Sequence, residues 1–190
     1  MRKKGIMDEG QMKNKLNFGC GTDIKKDHWN IDIVKLSGVD QVLNLNKTPY
    51  PFKNEQFIEI YADNVLEHLE RFIPIMEEMH RILKKGGKLI IKVPHYLSHD
   101  AWAHPQHKRA FAVDTFDFFV KGTKRYSIDG RCFNVHFSSI KRKIIFEKGL
   151  NPLNFINYIL EPLFNLFPEY YERSWLSSFP CSSIYIEITK

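Results

Sequence analysis

The sequence has few cysteines and no long hydrophobic run, and each absence excludes a class of protein. The three cysteines (Cys20, Cys132 and Cys181) are odd in number, lie far apart and include no C-x-x-C pair. This usage favours reduced thiols over a disulfide framework or a cysteine-based metal site. No apolar run approaches the roughly 18 residues of a membrane span, and no apolar stretch follows the charged N-terminus as in a signal peptide. We therefore expect a cytoplasmic protein without a transmembrane segment.

The sequence also lacks the complete glycine signatures of folds that bind nucleotide phosphates. Gly19 and Gly21 follow a predicted strand, but the third glycine of a dinucleotide fingerprint is missing and no Gly-Lys-Ser/Thr of a P-loop occurs. Residues 22–28 are too few for the crossover helix whose N-terminus would face a pyrophosphate. We expect at most one helical turn in this connection.

What is present is a glycine turn followed by an acid. Asp32 lies near the end of a second short apolar strand, thirteen residues after Gly19. The glycines let the backbone approach a ligand, and an acid in this place binds ribose hydroxyls. Adenosine recognition without a phosphate cradle favours S-adenosylmethionine over a dinucleotide, since that molecule carries no phosphate.

Composition predicts one globular domain. The hydrophobic share is 43%, the aromatic share is 14%, and 190 residues suffice to bury a full core. Residues 1–14 are polar and aperiodic, so we expect a frayed tail there. Residues 15–190 then form the domain, with 15–94 as its cofactor-binding half and 95–190 as its substrate-facing half.

Predicted strands alternate with helical segments, which is typical of an α/β fold with a largely parallel sheet. An amphipathic helix is expected to begin near Pro74, because proline is favoured at the first helical position. Gly86 and Gly87 are expected to end that helix with a left-handed cap. The strands are expected at 16–19, 29–34, 41–45, 57–62, 88–93 and 182–189.

Positive charge is concentrated in residues 121–148. Eight basic and two acidic residues lie there, which equals the net charge of +6 of the whole chain. Such an excess indicates an anionic partner, for example a nucleic acid, or else a solvated loop and strand face. Both interpretations are open at this point.

Residues 95–112 follow the fifth predicted strand and should cover the site from above. Three roles are open for their histidines. One of them, His95 or His107, removes a proton from an acceptor hydroxyl; several bind a metal; or they shape the loop and contact substrate. Flanking prolines disfavour a helix-based H-x-x-x-H site, so we expect no metal. The metal ligands considered are His95, His99, Asp100, His104 and His107.

The C-terminal region is rich in aromatic side chains. We expect most of them to belong to the core rather than to a substrate box. They are Phe155, Tyr158, Phe164, Phe167, Tyr170, Tyr171 and Trp175.

Several stretches together resemble the short class I S-adenosylmethionine-dependent methyltransferases of the methyltransferase-11-like type. Leu-Asn-Phe-Gly-Cys-Gly at 16–21, followed by Asn-Ile-Asp at 30–32, is similar to that family's first motifs. Tyr-Pro-Phe at 50–52 is also similar, as are Ala-Asp-Asn-Val-Leu-Glu-His-Leu at 62–69 and Arg-Ile-Leu-Lys-Lys-Gly-Gly at 81–87. No single motif is specific to this family, but the order and spacing of these motifs over residues 16–111 are typical of it. The resemblance implies a single-domain Rossmann-like fold with a mostly parallel central sheet and an antiparallel C-terminal strand.

The resemblance also implies a cofactor site for S-adenosyl-L-methionine. The turn at 18–21 would line its methionine part, Asp32 would bind the ribose, and the segment at 44–45 would lie beside the adenine. Asn44 departs from the family's frequent Asp, although its oxygen can accept from the adenine amine. Glu67 is expected to be a structural hydrogen-bond partner rather than a catalytic group, although both roles are open. The full predicted set is Phe18, Gly19, Cys20, Gly21, Asp32, Ile33, Asn44, Leu45, Asp63, Asn64 and His68.

The implied function is methyl transfer to a small-molecule or glycan-type acceptor. One alternative is a non-catalytic cofactor-binding protein on the same fold. Another is a nucleic-acid methyltransferase that uses the basic segment at 121–148. The absence of a Pro-Pro-Tyr or Pro-Pro-Phe signature after strand four disfavours amino-methylation of a base.

Overall fold

The computed structural model describes residues 13–149, 152–179 and 181–190. Most of the expected tail, residues 1–12, lies outside this range. Its last two residues are held against the sheet: the Asn14 carbonyl accepts from Ile58 N–H at 2.8 Å, and Lys13 Nζ lies 2.9 Å from an Asp40 oxygen.

The described residues form one seven-stranded sheet. The strand order is β3-β2-β1-β4-β5-β7-β6; β1 to β5 are parallel, and β7 runs antiparallel between β5 and β6. This confirms the predicted mostly parallel sheet with an antiparallel C-terminal strand. The strands are β1 (Lys15–Phe18), β2 (Trp29–Asp32), β3 (Gln41–Val42), β4 (Phe57–Asp63), β5 (Leu83–Pro94), β6 (Ser139–Ile145) and β7 (Ser183–Thr189).

Five α-helices and five 3₁₀-helices lie within the described ranges. The α-helices are α1 (Phe72–Ile82), α2 (His99–Ala103), α3 (Lys124–Asp129), α4 (Asn157–Phe164) and α5 (Pro168–Tyr171). The 3₁₀-helices span Leu66–His68, Thr115–Phe119, Gly130–Cys132, Pro152–Ile156 and Trp175–Ser178. Within the part of the chain that is described, no helix has both the length and the apolar character needed to cross a membrane.

The boundary between α1 and β5 differs from the prediction. The helix begins at Phe72, before Pro74, and ends at Ile82 rather than at the glycines. Leu83 is already extended (φ −80°, ψ 134°), buried, and paired with Phe57 of β4, so the chain passes straight from helix into sheet. Gly86 does adopt a left-handed φ of +72°, but inside β5.

The connection between β1 and β2 contains turns and no helix in residues 22–28, which are all described, as its length predicts. Two buried asparagines of the strands hold it. The Asn17 amide donates to the Asp23 carbonyl at 2.7 Å and to Asn30 Oδ1 at 2.9 Å, and Asn30 Oδ1 also accepts from Lys25 N–H at 3.0 Å. Side-chain amides therefore shape this short parallel connection, with turns in place of a crossover helix.

The prediction that the C-terminal aromatics form core is wrong for five of the seven. Phe164 and Tyr171 are buried, whereas Phe155, Tyr158, Phe167, Tyr170 and Trp175 are more than half exposed. The reason is that α4 packs on the sheet through Phe164 and Glu161 and turns its other face to solvent. Apolar content alone did not reveal which face of the helix would be covered.

Candidate functional site

Two pockets lie at the carboxyl edge of the parallel strands, where open α/β sheets bind ligands. The first, here called the cofactor pocket, has a volume of about 370 Å³. The turn after β1 and the ends of β2 and β4 contribute to its wall. Its lining residues are Gly19, Gly21, Asp32, Ile33, Asn44, Leu45, Asn46, Asn64, Val65, His68, Leu69 and Gln106.

Gly19 and Gly21 are required at this turn for different reasons. Both have left-handed φ angles, +68° and +48°, which side-chain-bearing residues rarely adopt. A Cβ on Gly19 would also lie 2.3 Å from Val65 Cγ2, whereas a Cβ on Gly21 would meet no atom within 4 Å. Gly19 thus permits close packing against the segment after β4, and Gly21 leaves the pocket open.

Asp32 is oriented by the backbone around it. One carboxylate oxygen accepts from Gly21 N–H at 2.8 Å, and the other accepts from Val34 N–H at 2.9 Å. A carboxylate has about four lone-pair sites, so both oxygens retain acceptor capacity toward the pocket. This arrangement suits two neighbouring hydroxyl groups such as those of a ribose.

Eight of the eleven residues predicted for the cofactor line this pocket. The three that do not are Phe18, which is fully buried; Cys20, whose thiol pKa burial raises to about 11; and Asp63. Asp63 instead accepts from the Tyr61 hydroxyl at 2.8 Å and lies 3.6 Å from Lys92 Nζ. The prediction missed Asn46, Val65, Leu69 and Gln106. Gln106 lies in the histidine-rich loop that follows α2, which is far from the other lining residues in the sequence.

The second pocket, here called the acceptor pocket, adjoins the first and shares Asn64 and His68 with it. Its volume is about 630 Å³. Asn64 reaches both pockets from a left-handed conformation (φ +49°), in which its N–H donates to the Lys92 carbonyl at 2.9 Å. The remaining lining residues are Glu67, Lys92, Pro94, Asp100, Ala103, His104, Pro105, His107, Ser182 and Ser183.

Glu67 is a buried carboxylic acid beside the acceptor pocket. Among the described residues neither of its carboxyl oxygens has a hydrogen-bond partner, so the expected structural hydrogen-bond role of this side chain is wrong. Burial, and secondarily the charge of Asp63, raise the pKa of Glu67 to about 7. Only its backbone carbonyl is engaged, accepting from Lys108 N–H at 2.7 Å.

Three histidines converge where the two pockets meet. The ring centroids of His68, His104 and His107 lie 4.7 to 5.1 Å apart. Burial lowers the pKa of His68, and its two histidine neighbours lower it further, which favours the neutral imidazole. The sequence prediction grouped His104 and His107 but not His68, which lies on another segment.

His95 occupies a different position from His107. It is fully buried, with Nε2 2.7 Å from a Glu172 oxygen and Nδ1 accepting from Leu97 N–H at 3.2 Å. Both ring nitrogens therefore bond within the protein, and His95 does not line either pocket. His99, by contrast, is exposed on α2, 3.5 Å from Asp100.

The loop that carries His104 and His107 is fastened to the segment after β4. Arg109 donates to the carbonyls of Leu69 (2.9 Å) and Glu70 (2.7 Å), and its guanidinium lies 5.2 Å from the Phe72 ring centroid. These contacts position the loop across the site, where Gln106 reaches the cofactor pocket.

Comparison with known proteins finds a methyltransferase domain family that matches part of the chain. Residues 16–91 match the model of the methyltransferase domain family Methyltransf_11. An uncharacterized protein of Methanocaldococcus jannaschii, MJ1123, is 33% identical over 84 residues, which are 44% of this chain and 40% of that protein. The chain thus matches less than half of that relative's length.

Solved structures show the same fold at low identity. A S-adenosylmethionine-dependent methyltransferase from Archaeoglobus fulgidus aligns with a TM-score of 0.59 and 17% identity, covering 93% of this chain and 85% of that one. Phosphoethanolamine N-methyltransferase 2 of Haemonchus contortus, solved with S-adenosyl-L-methionine, aligns with a TM-score of 0.54 and 13% identity, covering 95% of this chain and 50% of that one. Residues 16–91 therefore match a methyltransferase domain family, and the chain shares the fold of S-adenosylmethionine-dependent methyltransferases.

Proposed function

We propose that this protein transfers the methyl group of S-adenosyl-L-methionine to a small-molecule or glycan-type acceptor. The observation that carries the proposal is the junction of the cofactor and acceptor pockets at Asn64 and His68. Methyl transfer from a sulfonium depends mainly on in-line positioning of donor and acceptor in a desolvated site. Two adjoining pockets with shared wall residues support such positioning.

The residues of the cofactor pocket fit this ligand. Asp32 retains acceptor capacity for the ribose hydroxyls, and the open side of Gly21 allows close approach of the amino-acid part. Asn44 Oδ1 accepts from Asn46 N–H at 3.0 Å and keeps a second lone pair for the adenine amine. When bound, the cofactor supplies an electrophilic methyl group, while the chain binds, orients and excludes water.

The acceptor pocket favours a polar, compact acceptor. Its wall combines Lys92, Asp100 and three imidazoles with two serines, so hydroxyl or anionic groups find hydrogen-bonding partners. Of the two histidines expected to act on the acceptor, only His107 lines this pocket. One relative on this fold is named for phosphoethanolamine, also a small polar molecule.

The basic segment gives less support to a nucleic-acid acceptor. Five of its eight cations pair with acids of the same chain, which reduces the charge available to phosphates. A nucleic-acid methyltransferase would bind RNA or DNA with an affinity that falls steeply as salt rises. We expect no such binding.

Calorimetry with S-adenosylhomocysteine tests the cofactor site. We expect Asp32→Ala to weaken binding by about 100-fold or more, since two charge-assisted hydrogen bonds are lost. Asp23→Ala is the matched control, because this exposed acid of the same connection does not line the pocket. Absence of binding by the native protein, or equal binding by Asp32→Ala, would refute the proposal.

Transfer of a labelled methyl group separates an enzyme from a non-catalytic binding protein. The native protein is incubated with labelled S-adenosylmethionine and fractionated extract, with Asp32→Ala as the inactive reference. We expect label in a small, protease-resistant and nuclease-resistant product. Cofactor binding without any transfer would instead support the non-catalytic alternative.

A further inference from the structure

We infer that His68, His104 and His107 form a binding site for a divalent transition metal of the zinc class, at the junction of the two pockets. Each histidine offers one ring nitrogen, and the three nitrogens all lie within 4.8 Å of one another. Two chain segments bring them together: His68 ends the 3₁₀-helix after β4, and the other two lie in the loop after α2.

His104 and His107 form hydrogen bonds to backbone groups, at Gln106 and at Ala101. None of the three imidazoles pairs with a carboxylate among the described residues, in contrast to His95 and its partner Glu172. Neutral imidazole is the form that ligates a metal.

An outer hydrogen bond orients one of the ring nitrogens suitably. His107 Nδ1 lies 3.2 Å from the Ala101 carbonyl oxygen, so Nδ1–H donates there and the lone pair of Nε2 faces away. A metal-ligating histidine usually donates its other ring N–H in this way. His104 is exposed and stacks on His107 with an interplanar angle of 15°, so to share a metal its ring has to rotate out of the stack and release its 3.3 Å contact with Gln106 N–H.

Three imidazoles match zinc in number and kind. Zinc–nitrogen bonds of 2.0–2.1 Å in a tetrahedron separate the ligand nitrogens by about 3.4 Å. Side-chain rotations that move the ring nitrogens by roughly one ångström would therefore complete the site. A three-histidine site leaves one coordination position open, as in catalytic zinc centres, and all three histidines line the acceptor pocket. There the metal would hold an oxygen atom of the acceptor beside the methyl group. That role rests on the proposed function, whereas metal binding itself does not.

Metal titration tests the inference with a readout that needs no activity. Untagged, chelator-treated protein is titrated with zinc by calorimetry and with cobalt(II), whose visible absorption reports tetrahedral coordination. The variants are His104→Ala and His107→Ala, and the matched control is His99→Ala, an exposed histidine on the adjoining helix α2. Thermal unfolding and circular dichroism establish that each variant is folded.

We expect one zinc per chain for the native protein and for His99→Ala, with cobalt absorption in both. His104→Ala and His107→Ala should each bind about 100-fold more weakly or worse and lose the absorption. No stoichiometric binding by the native protein, undiminished binding by folded His104→Ala and His107→Ala, or an equal loss in His99→Ala would overturn the inference.

S-adenosylhomocysteine binding, measured on metal-free native protein and on His104→Ala, keeps the two proposals separate. His104 does not line the cofactor pocket, so we expect that binding to be unchanged. If zinc binds but S-adenosylhomocysteine does not, the proposed function fails and the metal site stands. If the reverse holds, only the metal site fails.

Discussion

Gly19 is the residue at which backbone conformation and packing constrain the site most closely. Its left-handed φ places the turn against Val65, so that β1 and the segment after β4 meet at the cofactor pocket. Gly21 shares the conformation but faces open space. Substitution at Gly19 therefore combines steric overlap with an unfavourable backbone conformation, whereas substitution at Gly21 involves the backbone conformation alone.

We expect Gly19→Ala to lower the free energy of unfolding by about 2–4 kcal/mol, because strain and overlap with Val65 combine. Gly21→Ala should cost only about 1 kcal/mol, from its φ alone. Urea denaturation of the two variants measures the difference. Equal losses would show that the turn relaxes away from Val65.

His80 makes stability depend on pH. Burial, and then the charge of Lys190, lower its pKa to about 4, against about 6.5 in the unfolded chain. Below pH 6.5 the unfolded state binds the extra proton, so stability decreases as the pH falls from about 6.5 toward 4.

At pH 5 we expect a loss of about 1–2 kcal/mol relative to pH 8 from this histidine, allowing for its partial exposure. His80→Gln should remove that part of the loss, whereas His99→Gln, on an exposed helix, should retain it. Denaturant titrations at the two pH values measure the free energy of unfolding of each variant. If His80→Gln lost as much stability between pH 8 and pH 5 as the native protein, the assignment to His80 would be contradicted.

At the scale of elements, the histidine-rich loop after α2 depends on one arginine. Arg109 donates to the carbonyls of Leu69 and Glu70, and beside it Lys108 N–H bonds to the Glu67 carbonyl. The loop therefore packs against the segment that follows β4.

Arg109→Met keeps an apolar stem over Phe72 but removes both hydrogen bonds. We expect the amide of Lys108 to exchange its hydrogen about 10–100-fold faster, which corresponds to roughly 1.4–2.8 kcal/mol of lost local stability. Amides of β4 serve as the internal control and should not change. Equal exchange at Lys108 in both proteins would show that the loop is held by other contacts.

The elements also show where sequence reasoning succeeds. Gly19, Gly21 and Asp32 were predictable because each lies at a strand end, where local pattern determines position along the sheet edge. The proximity of His68 to His104 and His107 was not predictable, because it depends on how a nonperiodic loop folds back onto a segment that is distant in the sequence. The early end of α1 was missed for a related reason: pairing of Leu83 with β4 overrides the glycine signal.

At the scale of the whole molecule, the described surface carries a broad apolar face on α4, α5 and the flanking 3₁₀-helices. Exposed apolar side chains that are concentrated on neighbouring elements are typical of interaction sites. This face was hidden in the sequence because apolar and aromatic residues line both sides of α4. The exposed members include Phe155, Ile156, Ile159, Leu163, Leu166, Phe167, Tyr170 and Trp175.

We expect the folded protein to bind a fluorescent apolar dye at this face. The double variant Ile159→Glu with Leu163→Glu should reduce dye fluorescence severalfold while lowering the free energy of unfolding by less than about 1 kcal/mol, since both side chains are already exposed. Dye fluorescence and urea denaturation test this together. A strongly destabilised double variant would indicate that these side chains are covered in solution.

The position of β7 has a consequence for biosynthesis. This strand fills the gap between β5 and β6 in the sheet, yet it begins 89 residues after β5 ends. While the ribosome makes those residues, one edge of β5 has no partner, and unpaired edges recruit strands from other chains. Sheet completion thus waits for a late segment, so nascent chains rather than finished ones are the form most exposed to aggregation and to chaperone capture.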